Sequence, residues 1–188
     1  KLGGLARRHL ITYAPTFINL AGALNFEGAG TLPFDSAAIA ALEAAYDSDP
    51  DGLQRVHPAA WIALTVFHRV HAKLKAEPIE DQRLDFEDGY GARADDEEDG
   101  HAVQAAGEMA KGLAEGTLAP FIGIRVKSLS EEARMRSLRT LDLFMSTLLE
   151  ATGGKLPPNF AVTLPKVTAP EQVAVMSECL ASIEQTHG

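Results

Sequence analysis

Two acidic and two basic side chains stand at the ends of apolar or alternating segments, where they could act on a small anionic substrate. Glu87 and Asp88 end a segment that alternates from Gln82, Arg125 lies near the end of an apolar segment, and Lys166 follows another. Clustered carboxylates suit a hard cation such as Mg²⁺. A guanidinium can hold a carboxylate through two hydrogen bonds and stabilise the negative charge of an enolate.

Each of these residues also has a purely structural interpretation. Asp85, Glu87 and Asp88 could form a solvated acidic loop, since runs of charge usually lie on solvated faces. Arg125 could form an ion pair with Glu87 or Asp88, which is compatible with a role in substrate binding. Lys166 could supply a second positive charge or lie on the surface. The residues alone leave these alternatives open.

Three strand-helix units must position these side chains. Strands are predicted over 82–87, 120–126 and 159–165, and helices over 95–116, from about 130 to 152, and from about 168 to 185. Such alternation predicts an α/β fold with parallel strands, in which chemistry lies at the carboxyl ends of the strands. The predicted helix caps are Asp95 with Glu98, Ser128 or Ser130 with Glu131, and Thr168 with Glu171.

Residues 1–79 have a weaker pattern. A helix over 36–46 capped by Asp35 or Ser36, a turn over 47–52 and a helix over 56–76 are predicted, whereas Leu10 to Leu24 fits a strand, a short helix or a loop. We therefore predict one partial domain over 1–188. Its weakly patterned N-terminal region is 1–79, and its three strand-helix units occupy 80–188.

Composition narrows the function classes. The 188 residues carry a net charge of −9, and residues 80–99 hold ten acidic residues and two arginines, so nucleic acid is not an expected partner. No run approaches the roughly 18 apolar residues of a membrane span, so no membrane partner is expected. Cys179 is the only cysteine, which excludes an internal disulfide and favours a reducing compartment. We expect a cytoplasmic protein.

Three strings in the second half resemble the aldolase/citrate lyase family, which includes enzymes similar to the citrate lyase β-subunit and to malyl-CoA lyase. This family belongs to the wider pyruvate kinase and phosphoenolpyruvate superfamily. The resemblance covers about residues 77–180 and is to the branch with the longer DFEDGYG string. The strings are Arg83-Leu84-Asp85-Phe86-Glu87-Asp88-Gly89-Tyr90-Gly91, Ile122-Gly123-Ile124-Arg125-Val126-Lys127 and Val162-Thr163-Leu164-Pro165-Lys166-Val167.

The resemblance implies a (β/α)₈ barrel that uses Mg²⁺ to cleave or form carbon-carbon bonds. The reaction would pass through the enolate of a 2-oxoacid such as pyruvate, or of an acyl thioester such as an acyl-CoA. Arg125 matches the arginine that holds the substrate, and Lys166 would add substrate-binding charge. Glu87 and Asp88 match the acidic pair beside the metal, acting through water or by orienting the arginine. We expect a homo-oligomer.

The same resemblance places the direct metal ligands beyond Gly188. A complete barrel takes about 250 residues, so we expect these 188 to be the N-terminal half of the barrel in a longer chain. Two alternatives remain. The first is a non-catalytic half-barrel or assembly module without metal ligands, and the second is an acidic module over 85–99 that binds Ca²⁺.

Overall fold

The computed structural model describes residues 2–187 and divides the chain into two compact units. The first unit is Lys1–Ile79 and the second is Glu80–Gly188. The division falls where the regular strand-helix pattern of the sequence begins. Within residues 2–187, no helix is long and apolar enough to cross a membrane.

The first unit is helical throughout its described residues. No strand occurs in residues 2–79, and Leu10 to Leu24 contains the end of one helix and the whole of a second, separated at Pro15. Thr16 caps the second of these helices by accepting a hydrogen bond from Asn19 N. The helices are α1 (Leu2–Tyr13), α2 (Phe17–Ala23), α3 (Ser36–Ser48), α4 (Pro50–Val56) and α5 (Pro58–Ala76), with a 3₁₀ turn at Ala29–Thr31.

Two of the predictions for this unit are confirmed and one is wrong. Asp35 caps α3 by accepting a 2.8 Å hydrogen bond from Ala38 N, and α5 (Pro58–Ala76) forms within the predicted range 56–76. The segment 47–52 is the junction of α3 and α4 and not a turn. Asp49 caps α4 because its carboxylate accepts the N–H of Gly52, and Pro50 suits the first helical position.

The core of the first unit is built on α5, which buries Ala60, Ala63 and Leu64. The small side chains of Ala60 and Ala63 allow close approach of the neighbouring helices, and Leu64 fills the core. The other buried residues of this core are Phe17, Ala21, Leu32 and Leu53.

The second unit is an α/β structure with a parallel sheet, as the sequence predicts. The sheet has the order β1-β2-β3, and both neighbouring pairs are parallel. Within the described residues, β1 and β3 are the edge strands. The elements are β1 (Asp81–Asp85), α6 (Asp95–Glu115), β2 (Phe121–Arg125), α7 (Arg134–Thr152), β3 (Phe160–Thr163) and α8 (Pro170–His187).

The predicted capping box of α6 is wrong. The helix begins after Ala94, whose side chain cannot cap it, and Asp95 already lies in the first turn. Glu98 is only 1% exposed and does not return to the backbone of Asp95. Its carboxylate is instead bound by side chains of neighbouring elements, and these interactions outweigh the local one.

The predicted caps of the other two helices also differ from the structure. α7 begins after Ala133, and Ser130 contributes only its carbonyl oxygen, which accepts the N–H groups of Ala133 and Arg134. At the start of α8, the side chain of Gln172, and not that of Glu171, accepts the N–H of Thr168.

Alternation along the strands gives the sheet one apolar face and one face with charged residues. Ile122 and Ile124 of β2 are buried in the core with α6 and α7, whereas Arg125 points the other way. Polar side chains at the strand ends are therefore excluded from the core. The buried core residues are Phe86, Ala102, Ala106, Met109, Ile122, Ile124, Val126, Leu141, Phe144, Met145, Leu148, Leu149 and Met176.

Gly123 sits at the centre of β2, where the backbones of β2 and β3 approach closely. A methyl group on this residue would collide with the backbone carbonyl of Ala161, its partner in register. Since backbone atoms move only with the strand, the pairing that places Arg125 depends on glycine here.

We predict that Gly123→Ala destabilises the protein by about 2–3 kcal/mol, because β3 must shift to admit the methyl group. Urea denaturation measures the free energy of unfolding. Gly107→Ala is the matched control, since a Cβ at Gly107 in α6 meets nothing within 4 Å and alanine favours a helix by about 1 kcal/mol. Equal stability of the two variants would contradict the close approach.

Candidate functional site

The parallel register of the sheet places Asp85 and Arg125 side by side at the carboxyl ends of β1 and β2. Arg125 Nε donates to Asp85 Oδ1 at 2.9 Å, and Nη2 donates to Oδ2 at 2.5 Å. This two-pronged geometry fixes the plane of the guanidinium. About a third of the Arg125 side chain remains exposed.

The carboxylate of Asp85 is fully used by its neighbours. Besides Arg125, Oδ1 accepts the N–H of Glu87 and Oδ2 accepts the N–H of Gly89, both at 2.9 Å. The backbone after β1 wraps around this carboxylate so tightly that a Cβ on Gly89 would collide with Oδ2. Asp85 thus fixes both the arginine and the loop that carries the acidic pair.

Glu87 lies between the two cations of the site and is nearly buried. Its side chain is 8% exposed, with Oε1 at 2.5 Å from Lys166 Nζ and Oε2 at 3.8 Å from Arg125 Nη2. Lys166 also contacts Asp88 Oδ1 at 2.7 Å. We call Asp85, Glu87, Asp88, Arg125 and Lys166 the strand-end cluster.

Lys166 reaches the strand-end cluster from an unusual backbone conformation. Its φ is 51°, in the left-handed region that costs a non-glycine residue roughly 1 kcal/mol. This conformation places Lys166 Nζ beside the carboxylates of Glu87 and Asp88. Backbone strain of this kind is concentrated at functional sites, where a particular side-chain direction is needed.

The charges of the cluster reinforce one another. The hydrogen bonds from Arg125 lower the pKa of Asp85 to about 2, and the same contact raises the pKa of Arg125. Lys166 lowers the pKa of Asp88, and its own pKa is raised by Asp88 and Glu87. Asp85, Asp88, Arg125 and Lys166 are therefore charged at neutral pH.

The four predicted site residues lie together. Arg125, Glu87, Asp88 and Lys166 are joined through the contacts above. The expected ion pair of Arg125 is present, but its main partner is Asp85, with Glu87 at the edge of ion-pair distance. From the sequence, Asp85 was interpreted as one of three acidic residues that could form a solvated loop. Its spacing two residues before Glu87, on the same face of the strand, was the available signal.

Lys127 is a strand-end cation that lies outside this cluster. Its Nζ contacts Glu98 Oε2 at 2.6 Å and the carbonyl oxygen of Phe86 at 2.7 Å. Glu98 fits a local capping pattern in the sequence, so its pair with Lys127 was not predicted. Glu98 lies within the acidic run 95–99, which gave no indication that its side chain faces the core.

The described residues do not form a metal site by themselves. No group of three or more His, Cys, Asp or Glu side chains in residues 2–187 is arranged to hold a metal ion. Asp85 has no oxygen free of a hydrogen bond, and Glu87 and Asp88 each face Lys166. The residues present therefore do not fit Mg²⁺ as a complete set of direct ligands.

The acidic segment at the start of α6 is also occupied by basic partners. Asp99 pairs with Arg136 and Arg139 of α7, and Glu98 lies 3.6 Å from Arg136. These pairs hold α6 against α7. They leave the calcium-module alternative without a cluster of free oxygens.

We predict that Asp85→Asn lowers the free energy of unfolding by about 1–2 kcal/mol at pH 6, because it removes the charged acceptor of Arg125. The pKa of Asp85 is lower in the folded protein, so its charge stabilises the fold above about pH 4. This contribution is lost as the pH falls through about 2. Urea titrations between pH 6 and 2 should therefore show the deficit shrinking with acidity, and a constant deficit would contradict the pair.

A family model described as a domain of unknown function, DUF6986, matches residues 1–188. No curated protein and no solved structure matches the chain. Because the family model covers both compact units, the strand-end cluster is part of the same family domain as the helical unit before it. The chain belongs to the DUF6986 family.

Proposed function

We propose that this chain is part of a Mg²⁺-dependent carbon-carbon lyase or aldolase that acts on a 2-oxoacid or an acyl thioester through an enolate. The observation that carries the proposal is that Asp85 fixes the guanidinium of Arg125 at the carboxyl ends of the parallel strands. Parallel α/β folds place their catalytic residues at these strand ends. The similarity of the three strings to the aldolase/citrate lyase family supports the same reaction class.

Arg125 is the substrate clamp in this proposal. Nε and Nη2 of Arg125 donate to Asp85, and no residue within 2–187 hydrogen bonds to Arg125 Nη1. Nη1 is therefore the donor that remains for a carboxylate or enolate oxygen of the substrate. Because Asp85 already orients the guanidinium, little reorganisation is needed as charge develops. Lys166, whose side chain is about half exposed, supplies the second positive charge.

The charge balance of the strand-end cluster favours an added cation. Three carboxylates face two basic groups, so the cluster is negative before any substrate enters. An anionic substrate would increase that charge, and a divalent ion would compensate it. Mg²⁺ would supply Lewis-acid stabilisation of the enolate oxygen. Glu87 and Asp88 would lie near the ion and act through water, and the direct ligands would come from outside residues 2–187.

The proposed fold is the N-terminal half of a (β/α)₈ barrel. Three parallel strand-helix units with charged strand ends fit the N-terminal half of a (β/α)₈ barrel, with further strands pairing along the open edges of the sheet. Open edges also favour association, and we propose a homo-oligomer. A single cysteine, Cys179, fits a cytoplasmic location.

We expect Arg125→Ala to reduce turnover by about 10²–10³-fold, the value of one preorganised charge contact. The assay follows loss of the methyl proton signal of pyruvate in D₂O with Mg²⁺, which reports enolate formation without a second substrate. Arg139→Ala is the control, since Arg139 of α7 contacts Asp99 of α6 and lies outside the strand-end cluster. An Arg125→Ala rate within threefold of wild type would refute the assignment.

The open edges of β1 and β3 favour a second candidate, a non-catalytic assembly module. This candidate predicts no pyruvate exchange in wild-type protein and self-association that grows with concentration. Sedimentation velocity together with the exchange assay separates the two functions. Exchange that depends on Arg125 supports the lyase, whereas association without exchange supports the module.

A further inference from the structure

A buried ion pair lies beside the strand-end cluster and is not used by the proposed chemistry. Both oxygens of Glu98 are occupied, Oε2 by Lys127 Nζ and Oε1 by Thr140 Oγ1, each at 2.6 Å. Thr140 is fully buried and Glu98 is 1% exposed. A second contact fixes the loop after β2, because Ser137 Oγ donates to the backbone carbonyl oxygen of Lys127 at 2.6 Å.

Lys127 of this ion pair also contacts the backbone next to the acidic residues of the strand-end cluster. Lys127 Nζ donates to the carbonyl oxygen of Phe86, which lies between Asp85 and Glu87. Its ammonium also lies 5.1 Å from the centre of the Tyr90 ring, in the same loop. Lys127 therefore connects the loop after β1 to the first turn of α6.

Stability alone is a weak reason for this arrangement. Removing two charges from water costs several kcal/mol, and well-packed apolar residues of similar size often stabilise a protein as well or better. An apolar pair, however, could not bind the Phe86 carbonyl. What distinguishes the Lys127–Glu98 pair from an apolar pair is that Lys127 binds the carbonyl oxygen of the peptide between Phe86 and Glu87.

We propose that Lys127 and Glu98 are positioning residues that hold the loop after β1, so that Glu87 stays between Arg125 and Lys166. Without them the loop would keep the contacts of Asp85 and of the exposed Lys166, the backbone hydrogen bond from Phe86 N to Arg125, and the contact of Tyr90 with His101. It would lose the only side-chain donor that the described residues supply to the carbonyl oxygen of Phe86. The part of this inference that concerns substrate rests on the proposed function.

The test compares wild type with the double variant Lys127→Met/Glu98→Leu, which removes both charges and keeps similar volumes. Arg139→Ala is the matched control, because it breaks an α6–α7 ion pair without touching β1 or its loop. If the double variant fails to fold, Glu98→Gln replaces it. That variant removes the charge and keeps an oxygen for Thr140.

Two readouts separate loop position from function. Amide hydrogen exchange at Glu87 and Gly89 reports the loop, since both N–H groups are bonded to Asp85. We expect these amides to exchange about tenfold faster in the double variant, while the amides of α7 stay protected. Calorimetric titration with oxalate and Mg²⁺ reports the site, because oxalate mimics a planar enolate of a 2-oxoacid. Its affinity should fall by about tenfold.

The outcomes are distinct. Faster loop exchange together with weaker oxalate binding, both absent from Arg139→Ala, supports the inference. Unchanged loop exchange overturns it, and faster exchange with unchanged oxalate affinity overturns the positioning role. If the full-length wild-type protein does not bind oxalate with Mg²⁺, the proposed function fails, and loop exchange still decides whether the pair holds the loop.

Discussion

The second unit depends on one interaction across the sheet, the two-pronged contact between Arg125 and Asp85. Parallel pairing puts the two residues in register at the strand ends, and the alternation of β2 turns Arg125 away from the apolar core. The same carboxylate then binds the two backbone N–H groups of the following loop. Sheet register, loop shape and guanidinium orientation therefore constrain one another, so a change in any of them affects the other two.

Pairing within the strand-end cluster explains how charged side chains can occupy a partly buried position. Isolated charges at such a position would lose hydration, whereas here each has a partner of opposite sign at hydrogen-bond distance. The left-handed backbone of Lys166 and the missing side chain at Gly123 are local costs of the arrangement. One cost lies in β2, at Gly123, and the other lies three residues after β3, at Lys166. Their location fits a site selected for geometry more than for stability.

Much of the second unit was predictable, because apolar periodicity reports directly on buried faces. All three strands and their parallel pairing followed from it, as did the grouping of Arg125, Glu87, Asp88 and Lys166 at one edge. The roles of Asp85 and Glu98 were not predictable from local patterns. Their partners lie about 30 to 40 residues away in the chain, and Glu98 also satisfies a local capping pattern that long-range ion pairing overrides. The helical first unit was harder, since its Pro-rich and Ala-rich segments fit several structures.

The central claim is that Arg125, held by Asp85, binds the anionic part of a substrate. A crystal structure of the protein grown with oxalate and Mg²⁺ tests it most directly. The account predicts an oxalate carboxylate within hydrogen-bond distance of Arg125 Nη1 and close to Lys166 Nζ, with the Arg125–Asp85 contact intact. Oxalate bound elsewhere, or bound only after Arg125 leaves Asp85, would contradict the account.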